Sequence, residues 1–136
     1  MRAKLVKESL NDMFKPKQSD EILDGLKSKY NIENINDLYF SKTDEENVVG
    51  SHFLGYIETS YDKLVKLFGE PYVIPDPDKQ LLDWNVKDNK HNILEIYDYK
   101  SGLNLDVLKR LKSYKWHIGG LSHEAADKLK AYIMIN

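Results

Sequence analysis

Two different spacings of apolar residues divide the chain into an N-terminal part and a larger C-terminal part. Up to about residue 40, apolar residues recur every three or four positions, as they do on one face of a helix. After residue 50, short segments in which apolar and polar residues alternate, typical of strands, are interspersed with segments of helical spacing. Residues 41–51 between the two parts are mostly polar and include Gly50, so they are interpreted as a linker.

The N-terminal part is predicted to consist of short helices. The segment 2–14 is amphipathic and rich in lysine, and Pro16 is expected to end it. Ser19 is in position to cap a second helix, since its hydroxyl can accept a hydrogen bond from the first helical turn. The apolar stripe of that second helix is Ile22, Leu23, Leu26 and Tyr30. One more helical turn is expected within residues 32–40.

The C-terminal part predicts the element order β-α-β-β-α-β-α. Its strands are expected at residues 52–59, 82–86, 94–99 and 114–118. Its helices are expected to begin after the capping residues Ser60, Asn104 and Ser122. The second and third strands are close enough to form an antiparallel hairpin. Residues 52–59 have no consistently polar side and are therefore expected to be buried on both faces.

These elements predict an α+β fold. A helical N-terminal arm over residues 1–45 is followed by a small α+β domain over residues 50–136, whose sheet is mainly antiparallel. The helices are expected to cover one face of that sheet. A chain of 136 residues suits one domain with such an appendage better than two domains with separate cores.

The composition excludes several kinds of site. The chain has no cysteine, which removes thiol nucleophiles, disulfides and zinc–thiolate centres. The formal net charge is −2, so a general attraction to duplex nucleic acid is not expected. The sequence has neither a long apolar run nor a signal-peptide pattern, and the protein is therefore expected to be cytoplasmic, with no membrane partner.

Catalytic and metal-binding patterns are also missing from the sequence. Its four histidines do not have the spacing of metal ligands, and it contains no G-x-S-x-G elbow. Asp83, Glu95 and Asp98 share the predicted hairpin, but acids there are expected to be solvated and to serve solubility. The sequence therefore predicts no enzyme, no metal site and no cofactor.

The segment 114–125, YKWHIGGLSHEA, has two interpretations. A strand followed by Gly119 and Gly120 and then by a helix can direct backbone N–H groups at an anion, with Lys115 and His117 beside it. The same glycines can instead form a tight turn that folds the last helix back on the sheet. An acidic residue in the first turn of that helix favours the tight turn, because it would repel an anion.

Aromatic residues are concentrated in the last three predicted strands. Trp84 and Trp116 share the phase of their apolar neighbours and are expected to face the core. Tyr97 and Tyr99 are expected on the other face of their strand, near Lys100 and in reach of Lys115, where they can stack on a planar ring. Their alternative role is to pack under a helix or against another subunit.

Four segments together resemble a family of small phage-encoded proteins. They are SYDKLVKLFGEP (60–71), LLDWNV (81–86), ILEIYDYK (93–100) and KWHIGGLSHEA (115–125), and they span about half of the chain. In size and class the chain is also similar to phage anti-defence proteins that capture cyclic nucleotide signals. The resemblance implies a phage-encoded, non-enzymatic protein of the host cytoplasm that binds a nucleotide-like ligand or a host protein and can form a homo-oligomer.

For a nucleotide-like ligand, one set of residues is predicted to form the binding site. It consists of Tyr97, Tyr99, Lys115, Trp116, His117, Gly119 and Gly120. The aromatic residues would stack, the glycine amides and Lys115 would hold phosphate, and His117 would donate a hydrogen bond. Two other functions stay open: a virion-associated structural protein that docks through its N-terminal helices, and a small enzyme that acts on a nucleotide.

Overall fold

The predicted α+β class is confirmed. A computed structural model gives the fold of residues 20–30, 38–46, 50–75 and 80–136. The helices are α1 (residues 20–30), α2 (Tyr61–Phe68), α3 (Leu105–Arg110) and α4 (His123–Ile135). The strands are β1 (Phe40–Lys42), β2 (His52–Thr59), β3 (Tyr72–Val73), β4 (Leu82–Asp88), β5 (Ile93–Tyr97) and β6 (Tyr114–Gly120). Within these ranges, no helix has the length and apolar character needed to cross a membrane.

The strands of the described residues join in one sheet, in which five follow the order β1-β4-β5-β6-β2. β4 and β5 form the predicted hairpin, with Trp84 opposite Ile96. β6 lies inside the sheet, between β5 and β2. The short strand β3 pairs with the start of β4 and β1 pairs with its end, so both lie on the side of β4 away from β5. Every pairing is antiparallel, in line with the predicted type of sheet.

Residues 40–42 form an edge strand, so the helical turn and the linker predicted there are wrong at these positions. Phe40 is only 1 % exposed and belongs to the hydrophobic core of the sheet. Three residues are too few to show a period of two, which explains why the sequence pattern misses this strand. The sheet therefore includes residues that the sequence assigns to the N-terminal arm.

Two tryptophans connect the sheet to helix α2. The rings of Trp84 and Trp116 meet edge to face with their centres 5.4 Å apart, and both are fully buried, as predicted. The indole N–H of Trp84 donates to the carbonyl oxygen of Gly69 at 2.8 Å, and that of Trp116 donates to the carbonyl oxygen of Thr59 at 2.9 Å. These carbonyls flank the two ends of α2, so the tryptophans determine where the helix lies. The predicted cap is also confirmed, since Ser60 accepts a hydrogen bond from the first turn.

Helix α1 packs against α4 through the apolar stripe that the sequence predicts. Leu26 is buried together with Ala131 of α4. Beside this contact, the hydroxyl of Tyr30 donates a hydrogen bond of 2.6 Å to the carboxylate of Asp127. The helix predicted before α1 and the predicted cap Ser19 lie outside the described residues.

A β-bulge in β2 interrupts the alternation of its side chains between the two faces of the sheet. The pairing with β6 skips Leu54, which is the extra residue of the bulge. Leu54 and Ile57 are therefore both buried in the core, while Phe53 and Tyr56 lie on the opposite face and are exposed. Gly55, directly after the bulge, has a φ of 143°, which residues other than glycine rarely adopt. The prediction that β2 is buried on both faces is wrong.

Gly119 and Gly120 are the last residues of β6, so the turn predicted at these glycines is wrong. Both are paired with β5 on one side and with β2 on the other, so their backbone belongs to the sheet. A Cβ on Gly120 would lie 2.5 Å from Cδ2 of Leu94 and 3.2 Å from the carbonyl oxygen of Ile93. Close packing, and not a turn, explains this glycine. Helix α4 begins further on and is capped by Ser122, as predicted.

We expect Gly120→Ala to destabilise the protein by about 1–3 kcal/mol, because the added methyl group overpacks the core against Leu94. Gly119→Ala is the matched control. Its methyl group would meet neighbouring atoms at 3.4 Å or more, an ordinary contact distance, and should cost less than about 1 kcal/mol. Urea unfolding measures both free energies. Equal transition midpoints for the two variants would show that a methyl group at residue 120 does not overpack the core.

Candidate ligand-binding face

The sheet face opposite the core presents two adjoining rows of side chains across β4, β5, β6 and β2. The first row consists of Asp83, Tyr97, His117 and Tyr56, and each of these residues lies directly opposite the next one on the neighbouring strand. In the second row are Asn85, Glu95, Gly119 and Phe53. We call this surface the open face, because its side chains are exposed or half-buried, whereas those on the other face of β4, β5 and β6 are largely buried in the core.

Four aromatic rings surround His117 on the open face. They belong to Phe53, Tyr56, Tyr97 and Tyr99, and their centres lie 5.3, 4.9, 5.3 and 5.5 Å from the centre of the imidazole. We call these five residues the aromatic patch. Phe53, Tyr56 and Tyr99 are 45 %, 43 % and 38 % exposed, and the patch lines a shallow concavity of about 380 Å³. The rings are tilted by 36–75° to the imidazole, and together they offer an apolar surface on which a planar ligand can stack.

The surroundings of His117 favour its neutral form. Burial lowers its pKa, and the charge of Asp98 opposes this effect only in part. The Nδ1 atom is buried and has no hydrogen-bond partner among the described residues. A neutral imidazole does not attract an anion as an imidazolium would. The ring of His117 therefore extends the aromatic surface and does not add a charge to it.

Two lysines lie at one side of the aromatic patch, which we call the lysine side. The amine of Lys115 is 4.9 Å from the centre of the Tyr56 ring, and the amine of Lys100 is 5.4 Å from the centre of the Tyr99 ring. Both lysines are exposed and close enough to these rings for cation–π attraction. Glu58 lies directly opposite Lys115 on β2, where its charge partly offsets that of the lysine.

Two carboxyl groups, which we call the acid pair, lie at the other side of the patch. Asp83 is directly opposite Tyr97, and Glu95 precedes Tyr97 by two residues on the same face. Burial, followed by the hydrogen bond to Asp83 and the charge of Asp83, raises the pKa of Glu95 to about 7. Burial also raises the pKa of Asp83. Glu95 therefore carries a proton up to about neutral pH, and the expectation that these two acids are fully solvated is wrong.

Asp98, the third acid of the hairpin, has a structural role. It is 1 % exposed, and its carboxylate accepts hydrogen bonds from the backbone N–H groups of Leu81 at 2.9 Å and Leu82 at 3.0 Å. These bonds fix the start of β4 and leave Asp98 out of the acid pair. In the part of the chain that the structure describes, no three His, Asp or Glu side chains converge as a metal centre would require.

A second concavity, of about 400 Å³, adjoins the acid pair where β1 and β3 meet β4. Asp83 and Asn85 line it together with Lys42 and Asp44. The amine of Lys42 is already engaged with the carbonyl oxygen of Glu70 at 2.5 Å. Since its walls carry charges of both signs, this concavity suits a planar ligand less well than the aromatic patch does.

The structure brings together some of the predicted site residues and separates the others. Those that meet on the open face are Tyr97, Tyr99, Lys115 and His117. Trp116 does not join them, because it is fully buried on the core side of the sheet. Gly120 also faces the core, and Gly119 lies within the strand beneath the ring of Tyr97. Neither glycine forms the phosphate-binding loop that was one interpretation of the sequence.

Sequence reasoning misses two rings of the patch and the burial of the acid pair. Phe53 is missed because the bulge in β2 places it on the open face, and Tyr56 is missed because the sequence predicts that β2 is buried on both faces. The isolated Gly55 in the middle of that strand is the signal that can indicate a bulge. The half-burial of Asp83 and Glu95 has no comparable signal, since it depends on how neighbouring strands assemble.

Comparison of the chain with protein-family models, with curated proteins and with solved structures gives no match. The resemblance of its motifs to small phage proteins therefore stays a prediction. The interpretation of the open face depends on its own geometry and chemistry.

The raised pKa of Glu95 predicts how stability changes with pH. Because the folded-state pKa of about 7 lies above the ordinary value of 4.5, the folded protein binds this proton more tightly than the unfolded chain does. The contribution to stability is fully present below about pH 4.5 and is lost as the pH rises through about 7. We therefore expect the free energy of unfolding of the wild type to fall relative to that of Glu95→Gln between about pH 5 and pH 8.

Urea unfolding at several values across this pH range measures the effect. Glu58→Gln is the control, since it removes an exposed carboxylate from the same face. The difference in stability between this control and the wild type should change much less with pH. If the free energies of unfolding of Glu95→Gln and the wild type differ by the same amount at every pH, the raised pKa of Glu95 is contradicted.

Proposed function

We propose that this protein binds a nucleotide-like small molecule on its open face and acts by capture, without turnover. The observation that carries the proposal is the aromatic patch, in which three exposed rings and the half-buried ring of Tyr97 surround a neutral His117. A contiguous exposed apolar patch of this kind is typical of binding sites. A planar ring that stacks on such side chains removes their surface from water, and bases of any identity can do this.

The lysine side supports an anionic group on the ligand. The amines of Lys115 and Lys100 lie over the rings of Tyr56 and Tyr99. A phosphate attached to a ring stacked on the patch would therefore meet two ammonium groups, which bind phosphate as compact charges on flexible stems. Glu58 beside Lys115 weakens this positive field, which suits a ligand with few phosphate groups.

The distribution of charge favours a small ligand over a nucleic-acid strand. Proteins that bind single strands combine stacking side chains with a positively charged groove that follows the backbone. On the open face the lysines stand at one side of the patch and the acid pair stands at the other, where it would repel the next phosphate of a strand. The net charge of −2 adds no general attraction to a polyanion. A mononucleotide or a small cyclic nucleotide agrees better with this pattern.

The resemblance to small phage proteins makes the nucleotide signals of bacterial defence systems the first ligands to test. Capture of such a signal in an infected cell requires affinity and a sufficient amount of protein, but no catalytic group. A stacking surface with a charged side is able to supply that affinity.

Calorimetric titration with cyclic dinucleotides, cyclic ADP-ribose isomers and nucleoside monophosphates tests the proposal. We expect at least one of these ligands to bind. We expect Tyr56→Ala or Tyr99→Ala to weaken its binding by about 5-fold to 150-fold, since one stacking contact contributes about 1–3 kcal/mol. Tyr39→Ala is the matched control, because Tyr39 is also exposed but packs against Tyr132 of α4.

Three results would contradict the proposal. The first is the absence of both heat and a change in melting temperature with every ligand of the panel. The second is a loss of affinity in Tyr39→Ala as large as in the patch variants. The third is a patch variant that changes only self-association or the binding of a protein, because the patch would then be a protein-docking surface.

A further inference from the structure

The open face has a direction, because carboxyl groups and amines stand at opposite sides of the aromatic patch. On β6, Gly119 lies opposite Glu95, His117 lies opposite Tyr97, and Lys115 follows on the same face. The order along the strand is therefore carboxyl group, ring and amine. The four residue-to-residue steps from Gly119 to Lys115 extend over about 13 Å of strand, a distance that a base, a sugar and a phosphate in line can bridge.

Gly119 leaves the surface beside Glu95 without a side chain from β6. The ring of Tyr97 leans over this position, since a Cβ on Gly119 would lie 3.4 Å from Cε1 of Tyr97. Burial, and then the charge of Glu95, raise the pKa of Tyr97, which lies two residues after Glu95 on the same face. A planar ring stacked on Tyr97 therefore has an edge next to the acid pair.

We propose that Asp83 and Glu95 recognise the edge of the bound ring and select nucleotides whose base carries an exocyclic amino group. The inference rests on the proposed stacking of a nucleotide on the aromatic patch. An amino N–H donates hydrogen bonds and a carboxyl oxygen accepts them, as when Asp or Glu recognises the amino group of cytosine in DNA. Even with one proton between them, the two carboxyl groups keep acceptor oxygens for a ligand.

Half-burial of the acid pair makes the selection effective. A ring that covers these oxygens without donating a hydrogen bond removes their water and leaves them unsatisfied, which lowers its affinity. Glu46 adds negative charge near both carboxyl groups, and Gln80 contributes a hydrogen bond to Glu95. This surrounding charge favours a donor at the ring edge and directs the phosphate to the lysine side.

Two matched pairs of ligands test the inference. Guanosine and inosine 5′-monophosphates differ only in the 2-amino group, and adenosine and purine-riboside 5′-monophosphates differ only in the 6-amino group. We expect the wild type to bind the amino-bearing member of at least one pair about tenfold or more tightly. In Glu95→Ala this ratio should fall towards one. Glu95→Gln, which keeps the shape and one acceptor oxygen, should give an intermediate ratio.

The controls separate this inference from the proposed function. Glu58→Gln changes a residue on the lysine side and should keep the wild-type ratio of affinities within each pair. Unchanged binding of the ligand without the amino group shows that Glu95→Ala is folded. Equal affinities within both pairs, or a ratio that persists in Glu95→Ala, would overturn recognition by the acid pair and leave stacking intact. Binding of none of the four monophosphates would overturn the inference, whereas the proposed function would fail only if the cyclic nucleotides of the wider panel also do not bind.

Discussion

The buried pair of Trp84 and Trp116 is the contact on which the arrangement of this protein depends. Each indole is a large apolar group whose single N–H must find a hydrogen-bond acceptor when it is buried. The two N–H groups reach backbone carbonyls at opposite ends of α2, so both rings can be buried without an unsatisfied donor only when the helix lies in this place. Helix α2 is thereby fixed on one face of the sheet, and the other face is left for exposed side chains.

The bulge in β2 determines what that other face can do. In a strand of strict alternation, Phe53 would share the core face with Ile57, and Leu54 would lie on the open face with Tyr56. One extra residue exchanges Phe53 and Leu54, so that an aromatic ring joins the patch and an aliphatic side chain joins the core. The aromatic patch is thus the product of a backbone irregularity and not of the residue pattern alone.

The predictable features of this fold and site are those that act over a few residues. Helix caps and the β4–β5 hairpin follow from local chemistry, and so does the shared face of Tyr97 and Tyr99. The failures depend on contacts between distant parts of the chain. Phe40 becomes a strand residue only by pairing with β4, and Gly120 is required only because Leu94 packs against it. The half-burial of Glu95 likewise comes from the assembled sheet and has no local signal.

Half-burial also determines the protonation of the titratable groups on the open face. The same loss of water lowers the pKa of His117 and raises that of Glu95, so both groups favour their neutral forms. The centre of the face is therefore aromatic and nearly uncharged, although its residues include several titratable groups. Carboxyl oxygens lie on one side of this centre, and the amines of Lys100 and Lys115 lie on the other. A nucleotide has the same order, with a polar ring edge, a flat ring and a phosphate, and this correspondence across the whole face is the argument for the ligand class.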